Sequence, residues 1–159
     1  MSSRDIRYQA AVMDGERLLL LRCEPHGEAP FWVLPGGGRE AGESEEACVA
    51  RELREEARID VAVGPLLYDV PADPPDGTYT RWRTYLCHIV HGEAAPGGGD
   101  GWAEITAVRW LSLADPAEWD AELRADPFIH PQLLRIRAAL RDGAMDPGDR
   151  PAVGWPARG

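Results

Sequence analysis

Glu52, Glu55 and Glu56 stand at i, i+3 and i+4 in "RELREEARI", residues 51–59. On a helix advancing about 100° per residue they share one face. Like charges at that spacing destabilise an exposed helix by about 0.2–0.5 kcal/mol per pair. One chemistry offsets the repulsion: hard oxygen donors holding a divalent cation such as Mg²⁺ or Mn²⁺. The competing reading is a solvated acidic face balanced by Arg51, Arg54 and Arg58. A glycine run at 36–38 precedes the cluster, and such a loop lets backbone approach a metal or phosphates closely.

The rest of the chain narrows the chemistry. Its 159 residues carry a formal charge of −10, which disfavours nucleic-acid polymers and anionic membranes as partners. All 17 basic residues are arginine, so a phosphate group must be met by Arg, backbone N–H groups or metal. Cys23, Cys48 and Cys87 have no metal-ligand spacing and read as buried, reduced thiols. No stretch approaches the roughly 18 apolar residues of a membrane span, and the N-terminal residues have no signal-peptide layout. These features point to the cytoplasm.

The carboxylates need a helix and a sheet to hold them. Residues 44–57 read as that helix, with Ser44 as N-cap, Glu45 and Glu46 as ordinary first-turn acids, and Ala50, Leu53 and Ala57 as the apolar stripe. Residues 130–141 read as a second helix, with Leu133, Ile136 and Leu140 on one face. Strands are expected in 8–24, as a hairpin turning at Asp14-Gly15, and in 31–34, 59–70, 83–92 and 104–113. Residues 71–80 and 95–102 read as long, mobile loops. Residues 1–145 read as one domain and 146–159 as a flexible tail. Mostly strands, one helix inside the run and one after it, imply an α+β fold with a mixed or antiparallel sheet.

Taken together, the stretch resembles the Nudix box: Gly, five residues, Glu, seven residues, then Arg-Glu-aliphatic-any-Glu-Glu-any-Gly-aliphatic. Gly37, Glu43, Arg51, Glu52, Leu53, Glu55, Glu56 and Ile59 fit. Arg58 stands where the pattern asks for glycine. A residue just past a helix commonly takes positive φ, so Arg58 either carries strain of order 1 kcal/mol or the helix ends differently.

The resemblance implies an α/β/α sandwich, a mixed β-sheet flanked by helices. It implies hydrolysis of a pyrophosphate bond in a nucleoside diphosphate linked to X, with Mg²⁺ or Mn²⁺. The leading expectation is a nucleoside triphosphate, oxidised or not, giving a monophosphate and pyrophosphate. Dinucleoside polyphosphate, ADP-ribose, a nucleotide sugar, or a non-catalytic nucleotide sensor are the alternatives. Glu52, Glu55 and Glu56 become catalytic residues and metal ligands, with Glu52 the leading general base. Gly37, through its carbonyl, and Glu104 become further ligands. Glu43 and Arg51 become a structural brace. Arg22 is expected to contact phosphate, and Trp32, Tyr79 and Trp82 to stack on the base. The implied partner is a small nucleotide, with a homodimer compatible.

Overall fold

The computed structural model describes residues 5–99 and 101–141. The chain runs β1 (Ile6–Asp14), β2 (Arg17–Pro25), β3 (Phe31–Val33), β4 (Gly36–Gly37), α1 (Glu45–Ala57), β5 (Asp60–Asp76), β6 (Tyr79–His91) and β7 (Ala103–Ser112). A 3₁₀ turn (Pro116–Glu118), α2 (Ala121–Ala125) and α3 (Ile129–Arg141) follow. The strands form a mixed sheet in the order β3-β2-β1-β6-β5, with β4 on β1 and β7 on β2.

β1 and β2 pair only next to their turn, at Met13↔Leu18 and Asp14↔Arg17. The turn residues are therefore Gly15 and Glu16, one position later than the dipeptide signal suggested. Beyond the turn the strands part company. β1 takes β6 as a parallel partner and β4 as an antiparallel one, while β2 takes β3 and β7. The two halves of the sheet thus share one short seam, and residues from both halves line a cleft.

Strand alternation sorts the side chains into two cores. Tyr8, Ala10, Val12, Leu19 and Leu21 pack with Cys48, Val49, Leu53 and Ala57 of α1. Ala11, Met13, Leu18 and Leu20 pack with Leu123, Ile129, Leu133 and Ile136 of α2 and α3. Helices therefore cover both faces, the expected α/β/α sandwich. The buried stripe of α1 is Cys48, Val49, Leu53 and Ala57, and Ala50 is only half-buried at its edge. The three cysteines are free and buried.

The segment expected to be a mobile loop at 71–80 is strand. β5 continues to Asp76 and pairs across the turn with Tyr79 of β6. Turn-forming residues misled the local reading, because the long β6 partner supplies ladder hydrogen bonds that override weak strand propensity. The tail from Asp146 lies outside the described residues. Among the described residues, no helix is long and apolar enough to cross a membrane.

Candidate active site

α1 is fixed at both ends. Ser44 Oγ accepts a hydrogen bond from the Ala47 N–H at 3.1 Å, a side-chain N-cap. At the other end Arg58 adopts φ 58° and ψ 35°, the left-handed conformation, so the missing glycine is met by accepted strain. The four terminal carbonyls of a helix have no partner within it. Here the Arg58 N–H serves the Arg54 carbonyl. The segment 95–98 serves the other three: Gly98 N to Glu55 O at 2.9 Å, Gly97 N to Glu56 O at 2.8 Å, and Ala95 N to Ala57 O at 3.0 Å. A Cβ on Gly97 would collide with the Glu55 carbonyl, so only glycine allows this approach. The segment expected to be mobile is thus the C-terminal cap of the helix carrying the carboxylates.

The carboxylates meet the glycine run directly. Glu56 Oε1 accepts the Gly36 N–H at 2.8 Å. A Cβ on Gly37 would strike the Glu52 carboxylate, which therefore lies against that backbone. Glu43 and Arg51 form the expected brace: Nε to Oε2 at 2.7 Å and Nη2 to Oε1 at 2.9 Å, a bidentate pair. Hydrogen bonding to Arg51 pulls the Glu43 carboxyl down from 4.5 to about 2. Arg51 also donates to Glu52 at 3.1 Å, to Glu55 at 3.3 Å and to the Gly38 carbonyl at 3.2 Å. The Glu52 side chain is 14% exposed, against 55% for Glu55. Burial raises the Glu52 carboxyl above its ordinary value and Glu55 adds to the rise, while Arg51 and Arg7 oppose it.

The cleft holds about 820 Å³, room for a nucleotide. Glu52, Glu55, Glu56, Gly37, Arg51 and Tyr79 all line it. Four expected residues do not. Arg22 turns to the α2 face, ion-pairs with Glu122 at 2.8 Å and stacks on Trp32. The guanidinium carbons of Arg22 and Arg109 stand 5.0 and 5.6 Å from the Trp32 ring centroid. Trp82 is 2% exposed in the α3-side core, and its Nε1 finds no hydrogen-bond partner among the described residues. Glu104 is exposed on β7, while its neighbours Ala103 and Ile105 face the cleft. Trp82 and its neighbours Arg81 and Arg83 all lie off the cleft. For Arg22, Trp32 and Glu104 the cause is parity: one step along a strand reverses the face. The residues one step away, Cys23, Phe31, Val33 and Ile105, form an apolar cleft wall, with Trp102 beside them at 53% exposure.

Sequence reasoning also missed Arg7 and Asp76, which line the cleft from β1 and the β5–β6 turn. No local motif marks either one. Glu45, read as an ordinary first-turn acid, binds Arg83 at 2.7 Å and the Tyr85 hydroxyl, tying α1 to β6. Burial alone would raise the Glu45 carboxyl, but Tyr85 and Arg83 outweigh it and hold it low.

Geometry and sequence comparison converge here. The sequence model of the NUDIX domain matches residues 6–131. The chain belongs to the Nudix hydrolase family. A putative 8-oxo-dGTP diphosphatase of Mycobacterium tuberculosis is 43% identical over 101 residues, 62% of this chain and 65% of that protein. The match thus spans less than two thirds of that relative's length. A MutT-like protein of Streptomyces ambofaciens is 34% identical over 135 residues, 84% of this chain and 73% of that one. The crystal structure of a MutT Nudix hydrolase from Burkholderia pseudomallei aligns with TM-score 0.64 at 26% identity, covering 83% of this chain and 95% of that one.

Nudix hydrolases use a divalent cation, and the donor set of this member suits one. Among the described residues no three acidic, His or Cys side chains already stand at coordinating spacing. A small hard cation needs only one or two carboxylates beside water and phosphate oxygens. Glu52, Glu55 and Glu56 offer carboxylate oxygens on one wall, and Gly37 offers backbone beside Glu52. They also sit in the C-terminal half of α1, where the helix dipole favours positive charge.

Proposed function

We propose that this Nudix hydrolase cleaves a nucleoside triphosphate to a nucleoside monophosphate and pyrophosphate, with Mg²⁺ or Mn²⁺ held by Glu52, Glu55 and Glu56. The observation that carries the reading is the set of three box glutamates along one wall of a nucleotide-sized cleft, against the Gly36–Gly37 backbone. The 43% identity to a putative 8-oxo-dGTP diphosphatase favours a triphosphate over other linked nucleotides.

The bound cation would neutralise the diphosphate and acidify water. The residues supply the rest. Glu52, half-sheltered and raised by burial, takes a proton from the attacking water. Water oxygen bonds to the α- or β-phosphorus, and the P–O bond of the α–β bridge breaks, the bridging oxygen leaving with pyrophosphate or with the nucleoside monophosphate respectively. Glu56 stays oriented by the Gly36 N–H. The Arg51–Glu43 brace keeps Glu52 against the glycine backbone. The wall of Cys23, Phe31, Val33, Ile105 and Trp102 receives the base, with Tyr79 at the turn opposite.

A release assay with Mg²⁺ across nucleoside triphosphates, diadenosine polyphosphates, ADP-ribose and nucleotide sugars tests the substrate. Highest kcat/KM for a triphosphate supports the reading. Preference for a dinucleotide or sugar conjugate reassigns X, and no turnover of any compound favours a nucleotide sensor.

A further inference from the structure

We propose that Arg7 is the cation that holds the substrate's phosphates in the cleft, the role that sequence position suggested for Arg22. The proposal rests on the nucleotide-hydrolase reading above and deepens it.

A polyphosphate bound beside three carboxylates needs fixed positive charge of the protein's own, and with no lysine in the chain that charge is arginine. Among the described residues two arginines line the cleft, Arg7 and Arg51. Arg51 is consumed: its Nε, Nη1 and Nη2 all donate to Glu43, Glu52, Glu55 or the Gly38 carbonyl. Arg22 is on the opposite face, paired with Glu122. Arg7 differs from both. Its Nη2 donates to the Leu34 carbonyl at 2.9 Å and its Nε to Gln9 Oε1 at 3.2 Å. Among the described residues no hydrogen bond engages its Nη1.

The guanidinium is also held rigid. Its carbon lies 5.7 Å from the Tyr79 ring centroid. Gln9, which orients Nε, is itself buried and donates to Thr84 Oγ1 at 2.9 Å and to Gln132 Oε1 on α3. Gln132 is anchored in turn by the Tyr68 hydroxyl at 3.0 Å and by its own bond to the Phe128 carbonyl at 3.1 Å. Such a supporting chain pre-organises a binding group. Burial alone would lower the Arg7 value, but Glu56, Asp76, Tyr79 and Glu52 raise it, so the charge is permanent. Asp76 competes with substrate for that charge.

The test uses the full chain with Mg²⁺. Arg7→Gln, Arg7→Lys, Arg22→Gln and Asp76→Asn are compared by steady-state kinetics on dGTP. Calorimetric binding of α,β-methylene-dGTP, which is not cleaved, gives a readout independent of turnover. The expected result is at least tenfold weaker binding and higher KM in Arg7→Gln, with a smaller change in kcat. Arg7→Lys recovers part of the loss, Asp76→Asn binds more tightly, and Arg22→Gln matches wild type. If Arg7→Gln fails to fold, Arg7→Lys and Asp76→Asn decide: unchanged affinity in both overturns the proposal. Wild-type affinity in folded Arg7→Gln, or no binding by the wild-type chain, also overturns it. Binding that depends on Arg7 without any turnover leaves Arg7 assigned and refutes the hydrolase reading alone.

Discussion

Glu43 and Arg51 form a bidentate pair on which the electrostatics of the cleft hinge. The Glu43 carboxyl sits at about 2 in the fold against an ordinary 4.5, chiefly through its hydrogen bonds to Arg51. A depressed folded value gives stability that is present above pH 4.5 and lost as pH falls toward 2. Solvent screening keeps the contribution below the roughly 3 kcal/mol that the full shift would give. Denaturant unfolding of wild type and Glu43→Gln should therefore differ by about 2 kcal/mol at pH 7, and the gap should shrink below pH 4. A gap that stays constant down to pH 2.5 contradicts the assignment. At this scale the box residues were legible, because helical spacing alone puts Glu52, Glu55 and Glu56 together. Arg7 was not, because it meets them only through the fold. Arg22, Trp32 and Glu104 fall outside the cleft for want of strand phase: their neighbours along the chain line it, but their own side chains leave the other face, while Trp82 packs in the α3-side core.

Helix α1 is held by a left-handed residue and a borrowed cap, and each invites a test. Arg58 at φ 58° carries strain that glycine does not. Arg58→Gly should leave the melting temperature unchanged or raise stability by up to about 1 kcal/mol, with kcat kept. Loss of activity would give the arginine a role in the reaction. Gly97→Ala should do the opposite, because its Cβ has no space beside the Glu55 carbonyl. The expected cost is about 1–3 kcal/mol in unfolding free energy. A fall in kcat should accompany it, since three terminal carbonyls of α1 lose their fixed donors. Wild-type stability and rate in Gly97→Ala would mean that the cap is dispensable. Helices α1 and α3 and the first hairpin were readable from periodicity and capping residues, whereas the five-residue α2 is too short to show a period. The extended β5–β6 ladder and the cap at 95–98 were not, because their Pro and Gly content signals turns, and only long-range partners fix their structure.

Across the whole molecule, the sheet splits after its β1–β2 seam, and the cleft draws on both halves: glycine backbone and Arg7 from one, the apolar wall from the other. α1 covers one face and supplies the carboxylates, while α3 on the other face reaches the cleft through Gln132 and Gln9. The sandwich therefore connects every layer to one cleft, where we propose that metal-dependent cleavage of a triphosphate takes place. The most direct check is a ³¹P NMR time course of dGTP with Mg²⁺, run on wild type and on Glu56→Gln. Wild type should release dGMP and pyrophosphate, none when the metal is chelated, and the variant should be at least 100-fold slower. Equal rates in the two proteins, or turnover that persists in chelator, would contradict this proposal.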